Sequence, residues 1–237
     1  MSLTTFTAPL DLGPLAAEPS PQLVTESANW RRPADRAAKR TLDIVGALAG
    51  LVMLAPLMGA IALLVRLESP GWVIFRQKRM GQGGRVFTFL KFRTMVVDAE
   101  DRLKTIEALN ESSCGVLFKI KNDPRVTKFG RFLRRSSLDE LPQLWNILRG
   151  EMSLVGPRPL QLRDSELLLR SEPEAYRQRL GMPPGLTGAW QTGGRSETDV
   201  FGMLKLDLDY VERWSLALDL KIIARTVAAV VRGRGAY

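Results

Sequence analysis

The chain has 237 residues, with 34 Lys and Arg against 25 Asp and Glu, one cysteine, no histidine and a net charge of +9. The missing histidine excludes a Ser-His-Asp or Cys-His catalytic arrangement, an imidazole base and a His-ligated metal. The lone Cys114 excludes an internal disulfide and a cysteine-rich zinc site. Chemistry must therefore come from carboxylates, Lys, Arg, hydroxyls, backbone amides or an oxygen-ligated ion such as Mg2+. The basic balance points to an anionic partner without choosing among nucleic acid, phosphorylated small molecules and an anionic membrane.

Residues 1–38 read as a disordered tail: Pro9, Pro14, Pro19, Pro21 and Pro33 interrupt an Ala-, Ser- and Thr-rich stretch with no sustained apolar period. No basic residue precedes Arg31, so this start does not read as a secretory signal. From Ile44 to Val65 there are 22 residues without a charge. As a straight helix they would reach roughly 33 Å, enough to cross a bilayer core. Buried helices of soluble proteins rarely run so long uncharged, and residues 39–68 are read as a membrane segment. Arg31, Arg32, Arg36, Lys39 and Arg40 precede the run; Arg66, Arg76, Lys78, Arg79, Arg85, Lys91 and Arg93 follow it. Short basic flanks prefer the cytoplasm, so both ends are pulled to one side. Pro56, near the middle, removes a backbone bond and kinks a helix. A re-entrant helix bent at Pro56 satisfies both observations. A plain span stays open, since Pro is common in spanning helices and long downstream domains override the charge rule.

Residues 69–237 have the composition of a folded domain. Ser69-Pro70-Gly71 is a turn. The β-like runs Val73-Ile74-Phe75 and Val86-Phe87-Thr88-Phe89 flank Gly81-Gln82-Gly83-Gly84 and predict a hairpin. Helical patterns fall around 95–110, 124–134, 138–149, 161–179, 199–213 and 216–232. In the last, Leu216, Leu220, Ile223, Val227 and Val230 form one apolar stripe with Lys221, Arg225 and Arg232 off it. Such a helix suits a membrane interface and equally a cap on the domain core. The expected fold class is α+β and mainly helical: a Pro-broken membrane helix, a short hairpin and amphipathic helices around a catalytic domain.

Three clusters carry candidate chemistry. Arg134-Arg135-Ser136-Ser137-Leu138-Asp139-Glu140-Leu141-Pro142-Gln143 sets two adjacent carboxylates at a predicted helix start, after two arginines. Structurally, Ser137 and Glu140 would form a capping box, with Asp139 complementing the helix dipole. Functionally, a helix start beside arginines is an anion site, and a positive field there would keep Asp139 ionised as a nucleophile or Mg2+ ligand. Gly156-Pro157-Arg158-Pro159 fixes Arg158 between prolines, which suits a guanidinium that must meet a phosphate. Pro183 through Ser196 is a Gly-rich loop whose donors Gln191 and Arg195 are candidates for substrate contact. Each of these two could also be a structural turn. Gly81-x-Gly-Gly has the wrong spacing and context for a dinucleotide or Walker fingerprint.

Taken in order, Lys39-Arg-Thr-Leu-Asp43, the Pro-broken apolar helix, Ser69-Pro-Gly, Phe75-Arg-Gln, Lys91-Phe-Arg-Thr-Met95, Ser137-Leu-Asp-Glu-Leu-Pro-Gln143, Met152-Ser-Leu-Val-Gly-Pro-Arg-Pro159, Pro184-Gly-Leu-Thr-Gly188 and Tyr210 through Leu218-Asp-Leu-Lys-Ile222 make a pattern. It resembles that of the bacterial sugar transferases, the monotopic phosphoglycosyl transferases that begin polysaccharide assembly. The resemblance covers about residues 39–237, and the ending Gly-Arg-Gly-Ala-Tyr is similar to that of short exopolysaccharide-initiating members.

The resemblance implies transfer of a sugar 1-phosphate from a UDP-sugar to undecaprenyl phosphate, with release of UMP, at the cytoplasmic face of a bacterial inner membrane. It implies Asp139 as the nucleophile of a phosphosugar-enzyme intermediate, Glu140 as its partner, and Lys91 and Asp219 as functional polar residues. Arg158 and Arg134 would bind the nucleotide or its phosphates, with Mg2+ held by Asp139 and Glu140. UDP-galactose and UDP-glucose are the expected donors, membrane lipids are expected partners, and oligomeric state, a homodimer included, is open. The chain departs from the family pattern at Glu151 (often Asp), at Ala55-Pro56 (often Ser-Pro) and at Thr192-Gly193-Gly194 (commonly Val-Ser-Gly). The competing readings are a membrane-anchored structural or regulatory protein with an inactive transferase domain, and a membrane-anchored nucleic-acid binder. The intact acidic pair opposes the first. The second gives no reason for the DELPQ and GPRP motifs.

Overall fold

A computed structural model describes residues 30, 32–99, 101, 123–193 and 200–231. The long apolar run becomes helix α1, Pro33–Glu68, 36 residues long, with Pro33 in its first turn and Asp35 there to complement the dipole. The helix therefore starts inside the segment read as tail. Trp30 is also buried, its ring edge-on to Trp214 at 5.1 Å between centroids. Tail character cannot extend to residue 38, because Trp30 finds an aromatic pocket and Pro33 starts a helix well; residues 1–29 lie outside the described residues.

α1 continues through Pro56 and is the one helix among the described residues long and apolar enough, by length and composition, to cross a membrane. At about 54 Å it exceeds a bilayer core. One stripe of it lies against the domain near both ends: Lys39, Asp43 and Ala47 near the start, Ile61 and Val65 near the end. Ala47 packs with Phe87, Phe89, Leu144 and Ile147, whereas Ile61 and Val65 pack with Phe92 and Leu133. The opposite face is bare, with Val52 at 68% and Met53 at 79% exposure.

The hairpin pairs β1 (Ile74–Met80) with β2 (Val86–Phe92) antiparallel, Ile74 opposite Phe92 and Met80 opposite Val86. Its connection is a 3-10 turn at Gln82–Gly84 in which Gly83 takes φ 62, a value that favours glycine. The strands outrun the sequence expectation because Arg76, Gln77, Lys78 and Arg79 also join the ladder. Helix α2 (Lys128–Ser136) follows, capped by the Thr127 hydroxyl, which accepts from the Gly130 amide at 2.9 Å. Leu138–Glu140 forms a single 3-10 turn, and α3 (Gln143–Arg149) completes the predicted 138–149 pattern. The pattern at 161–179 divides into α4 (Leu162–Ser171) and α5 (Pro173–Arg179), since Glu172 leaves helical geometry and Pro173 starts the second helix. The pattern at 95–110 falls largely outside the described residues.

Two features were not expected. β3 (Ser153–Val155) and β4 (Gly185–Thr187) form a parallel pair. Their junction works only with glycine: a Cβ on Gly185 would collide with the Gly156 amide nitrogen and the Thr187 carbonyl oxygen. The Gly-rich stretch after β4 contains a short helix, α6 (Ala189–Gly193), rather than loop throughout. Helices α7 (Val200–Arg213) and α8 (Leu216–Val231) close the chain.

α8 turns Asp219 and Ile222 inward, while Leu220, Val227 and Val230 on its apolar stripe are exposed. Leu216 and Ile223 of the same stripe pack with Ile222 against the core, so α8 caps the domain along one edge and leaves the rest of the stripe open.

Candidate active site

Asp139 and Glu140 sit in the 3-10 turn after α2. Ser137, just before it, has φ 57 and ψ 17 and closes α2, its amide bonded to the Arg134 carbonyl. Its side chain caps nothing, so the expected Ser137–Glu140 capping box does not form. The physical reason is that a left-handed residue points its hydroxyl away from the following amides. Glu140 is thereby released from a capping role. Its carboxylate accepts from Arg158 Nη2 at 3.3 Å.

Asp139 is buried. Burial raises its pKa to about 6, and the Glu140 charge adds to the rise, against the lowering pull of Lys91, Arg134 and Arg158. Desolvation thus outweighs the cations. At pH 7 the group is still mostly ionised, and it is poorly hydrated. Glu140 and the three cations come from four separate stretches, the 3-10 turn, β2, α2 and the loop after β3, and all act on this carboxyl.

Lys91, half-buried on β2, lies 5.3 Å from the centre of the Phe75 ring. Burial lowers its pKa to about 8, helped by repulsion from Arg134 and Arg79. Arg134 donates from Nε to the Thr94 hydroxyl at 2.9 Å, which aims its guanidinium from the last turn of α2. Arg158 lies 5.9 Å from the centre of the Trp190 ring. The Gln191 side-chain amide is buried with neither its nitrogen nor its oxygen bonded, and the Trp190 indole nitrogen is likewise unbonded. Buried polar groups without partners are costly. Arg195 lies outside the described residues.

Asp219 is placed apart from this cluster. Fully buried, it bonds Lys39 Nζ at 2.6 Å, the Tyr210 hydroxyl at 2.7 Å and the Trp214 indole at 3.3 Å. Lys39 also donates to the Val155 carbonyl at 3.0 Å. A side chain enclosed this way cannot touch a substrate. In the structure Asp219 fastens α8 and β3 to the first turns of α1, beside Asp43, which bonds the Ser153 hydroxyl and the Leu154 amide, each at 2.9 Å.

Sequence reasoning passed over several residues here. Arg79, read as one charge of a basic flank, is buried beneath the hairpin, its guanidinium carbon 4.0 Å from the Phe89 ring centre. Strand alternation carries the signal: Arg76 and Lys78 face out, Gln77 and Arg79 face in. Glu151, one of the departures from the family pattern, accepts at 2.6 Å from Asn146, whose amide also donates to the Thr88 carbonyl at 2.8 Å. Asn146, steadied by Glu151, thus holds β2, and with it Lys91, to α3.

A carboxylate pair in the field of one lysine and two arginines is an arrangement suited to an anionic ligand. The chain belongs to the bacterial sugar transferase family, whose profile matches residues 34–233. It is 40% identical over 221 residues to the exopolysaccharide production protein ExoY of Rhizobium meliloti, covering 92% of this chain and 96% of that one. It is 39% identical over 212 residues to an undecaprenyl-phosphate galactose phosphotransferase of Salmonella typhimurium, covering 88% of this chain and 44% of the relative. A UDP-glucose:undecaprenyl-phosphate glucose-1-phosphate transferase of Xanthomonas campestris is 45% identical over 208 residues, covering 84% and 40% respectively. The chain thus spans less than half the length of the latter two.

Proposed function

We propose that the chain transfers a sugar 1-phosphate from UDP-galactose or UDP-glucose to undecaprenyl phosphate, releasing UMP, as the first membrane step of exopolysaccharide synthesis. The observation that carries this reading is the buried Asp139 carboxyl facing Lys91, Arg134 and Arg158. In the first step an Asp139 oxygen attacks the sugar-bearing phosphorus, the bond to the UMP oxygen breaks, and UMP leaves. In the second, a phosphate oxygen of the lipid attacks the same phosphorus and the carboxylate is released. A nucleophile already ionised needs no general base for the first step, which fits a chain without histidine. Arg158 and Arg134 orient the diphosphate, Lys91 offsets its charge, and Gln191 and Arg195 contact the nucleotide sugar.

Asp139 and Glu140 suit Mg2+, which binds through one or two carboxylates and otherwise keeps water and substrate phosphates. Bound there, it supplies charge neutralisation at the diphosphate. UMP release from UDP-galactose and UDP-glucose, with and without undecaprenyl phosphate, tests the whole reading. No release from either sugar, or release indifferent to the lipid in multiple turnover, would overturn it.

Glu140→Gln separates charge from architecture. It keeps a side-chain acceptor for Arg158 but removes the charge, and turnover is expected to fall on the order of 100-fold with the melting temperature within about 2 °C of the parent. Ser137→Ala, which removes no bond, is expected to leave both unchanged. Wild-type turnover in Glu140→Gln would return that residue to a purely structural role.

α1 is proposed to be re-entrant, with the catalytic domain on the cytoplasmic face. Lys39 and Asp43 at one end, and Ile61, Val65 and Glu68 at the other, contact the same domain; the Glu68 carboxylate accepts from the Phe129 amide at 2.9 Å. A helix fastened to one body at both ends does not leave its ends in opposite compartments. Single cysteines at Ser27 and Ser171, in a Cys114→Ser background, are both expected to resist a membrane-impermeant reagent in intact cells. Labelling at position 27 alone would establish a full crossing.

A further inference from the structure

Four consecutive carbonyls around Arg158 are each held by a donor from outside the segment. The Pro157 oxygen accepts from the Gly185 amide at 2.9 Å, and the Leu160 oxygen from the Met80 amide at 3.1 Å. Between them, the Pro159 oxygen accepts from Arg79 Nη1 at 2.7 Å, and the Arg158 oxygen itself accepts from Arg179 Nη2. The two middle donors are buried guanidinium groups, which an ordinary loop does not need. Arg179 on α5 is anchored in turn by Asp207 on α7, at 2.8 Å with both side chains buried. Arg79 is steadied by the Gln77 side-chain oxygen, at 3.1 Å from Nε and 3.0 Å from Nη2, and by the Phe89 ring. Arg158 is half-exposed and reaches from this locked backbone toward Glu140 and Trp190.

We infer that Arg79 and Arg179, the latter set by Asp207, are positioning residues that aim Arg158 at the substrate diphosphate by clamping the carbonyls on either side of it. Arginine fits the task better than lysine. Its planar fork meets two acceptors at fixed angles, so Arg179 holds Asp207 through Nε and Nη2 while Nη2 also reaches the Arg158 carbonyl. Both guanidiniums are committed to protein acceptors, Arg79 to the Pro159 carbonyl and the Gln77 side chain, Arg179 to Asp207 and the Arg158 carbonyl. Their influence must pass through Arg158, whose bidentate approach to a phosphate tolerates little misplacement.

The inference rests on the proposed phosphosugar transfer and makes a claim of its own: mutations at the clamp and at Arg158 are not additive. Arg179→Lys keeps the charge opposite Asp207 but lacks the second nitrogen of the fork. In the wild-type background it is expected to lower the rate of UMP release per folded enzyme, and the affinity for UDP, about tenfold or more. In an Arg158→Ala background the same change is expected to alter each by less than about twofold. Equal losses in both backgrounds would overturn the inference and leave the Arg179–Asp207 pair as core structure. Arg79→Gln, which leaves that buried pair intact, runs the same cycle if Arg179→Lys does not fold. A wild-type protein with no turnover on either UDP-sugar would sink the proposed function instead, and the two failures are read separately.

Discussion

An Asp139→Asn protein is expected to fold normally, to stay unlabelled by radioactive UDP-sugar, and to show no turnover. The amide is close to the carboxylate in shape, and Asn adds no uncompensated charge to a buried site. It cannot form an acyl phosphate. The parent, given labelled UDP-sugar and no lipid, is expected to take up label on the protein and release UMP in a single burst. Because Asp139 carries like-charge strain from Glu140 and a desolvation penalty, removing its charge is expected to leave the melting temperature unchanged or raise it. Substantial turnover in Asp139→Asn rules out the nucleophile role. A parent that turns over but never becomes labelled points to direct transfer between the two substrates.

Asp219→Ala is expected to have the largest effect on stability, about 3–5 kcal/mol, because it strands the Lys39 ammonium in a site closed to water. The Tyr210 hydroxyl keeps only the Val155 carbonyl, at 3.2 Å. Combining Lys39→Met with Asp219→Leu removes both charges and refills the volume, and is expected to recover most of the loss, as buried pairs exchanged for apolar neighbours do. Denaturant unfolding of the two single variants and the double variant decides the matter. If Asp219→Ala unfolds like the parent but has lost turnover per folded molecule, the carboxylate works in the chemistry and the buried network is not its purpose.

These two aspartates show where sequence reasoning reached and where it stopped. Both stand in recognisable motifs, and nothing local separates an acidic residue awaiting phosphate from one awaiting a buried lysine. Lys39 lies 180 positions from Asp219, and the two meet only because α8 packs beside the start of α1. Ser137 is the local counterpart. Its motif has the letters of a capping box, but the last turn of α2 needs a left-handed residue there, and that geometry leaves the hydroxyl without an amide to cap. Arg79 belonged to a run of charges until pairing with β2 made alternate residues face inward.

The sequence alone determined whatever depends on neighbours along the chain. The uncharged run of α1, the Gly-rich turn of the hairpin, the period of α8 and the acidic pair beside basic residues are all local. Composition, turn chemistry and spacing act over a few residues, so these features survive ignorance of the fold. Tertiary structure decided whatever depends on which surfaces meet. It paired two three-residue strands from distant positions, too short to announce themselves by alternation, across a glycine contact. It split the apolar stripe of α8, packing Leu216 and Ile223 with Ile222 on the core and leaving Leu220, Val227 and Val230 exposed. It raised Asp139 toward neutrality by burial, although the charges written around it would lower it. Desolvation and packing are properties of enclosed space, and no spacing along the chain records how much of a side chain will be enclosed.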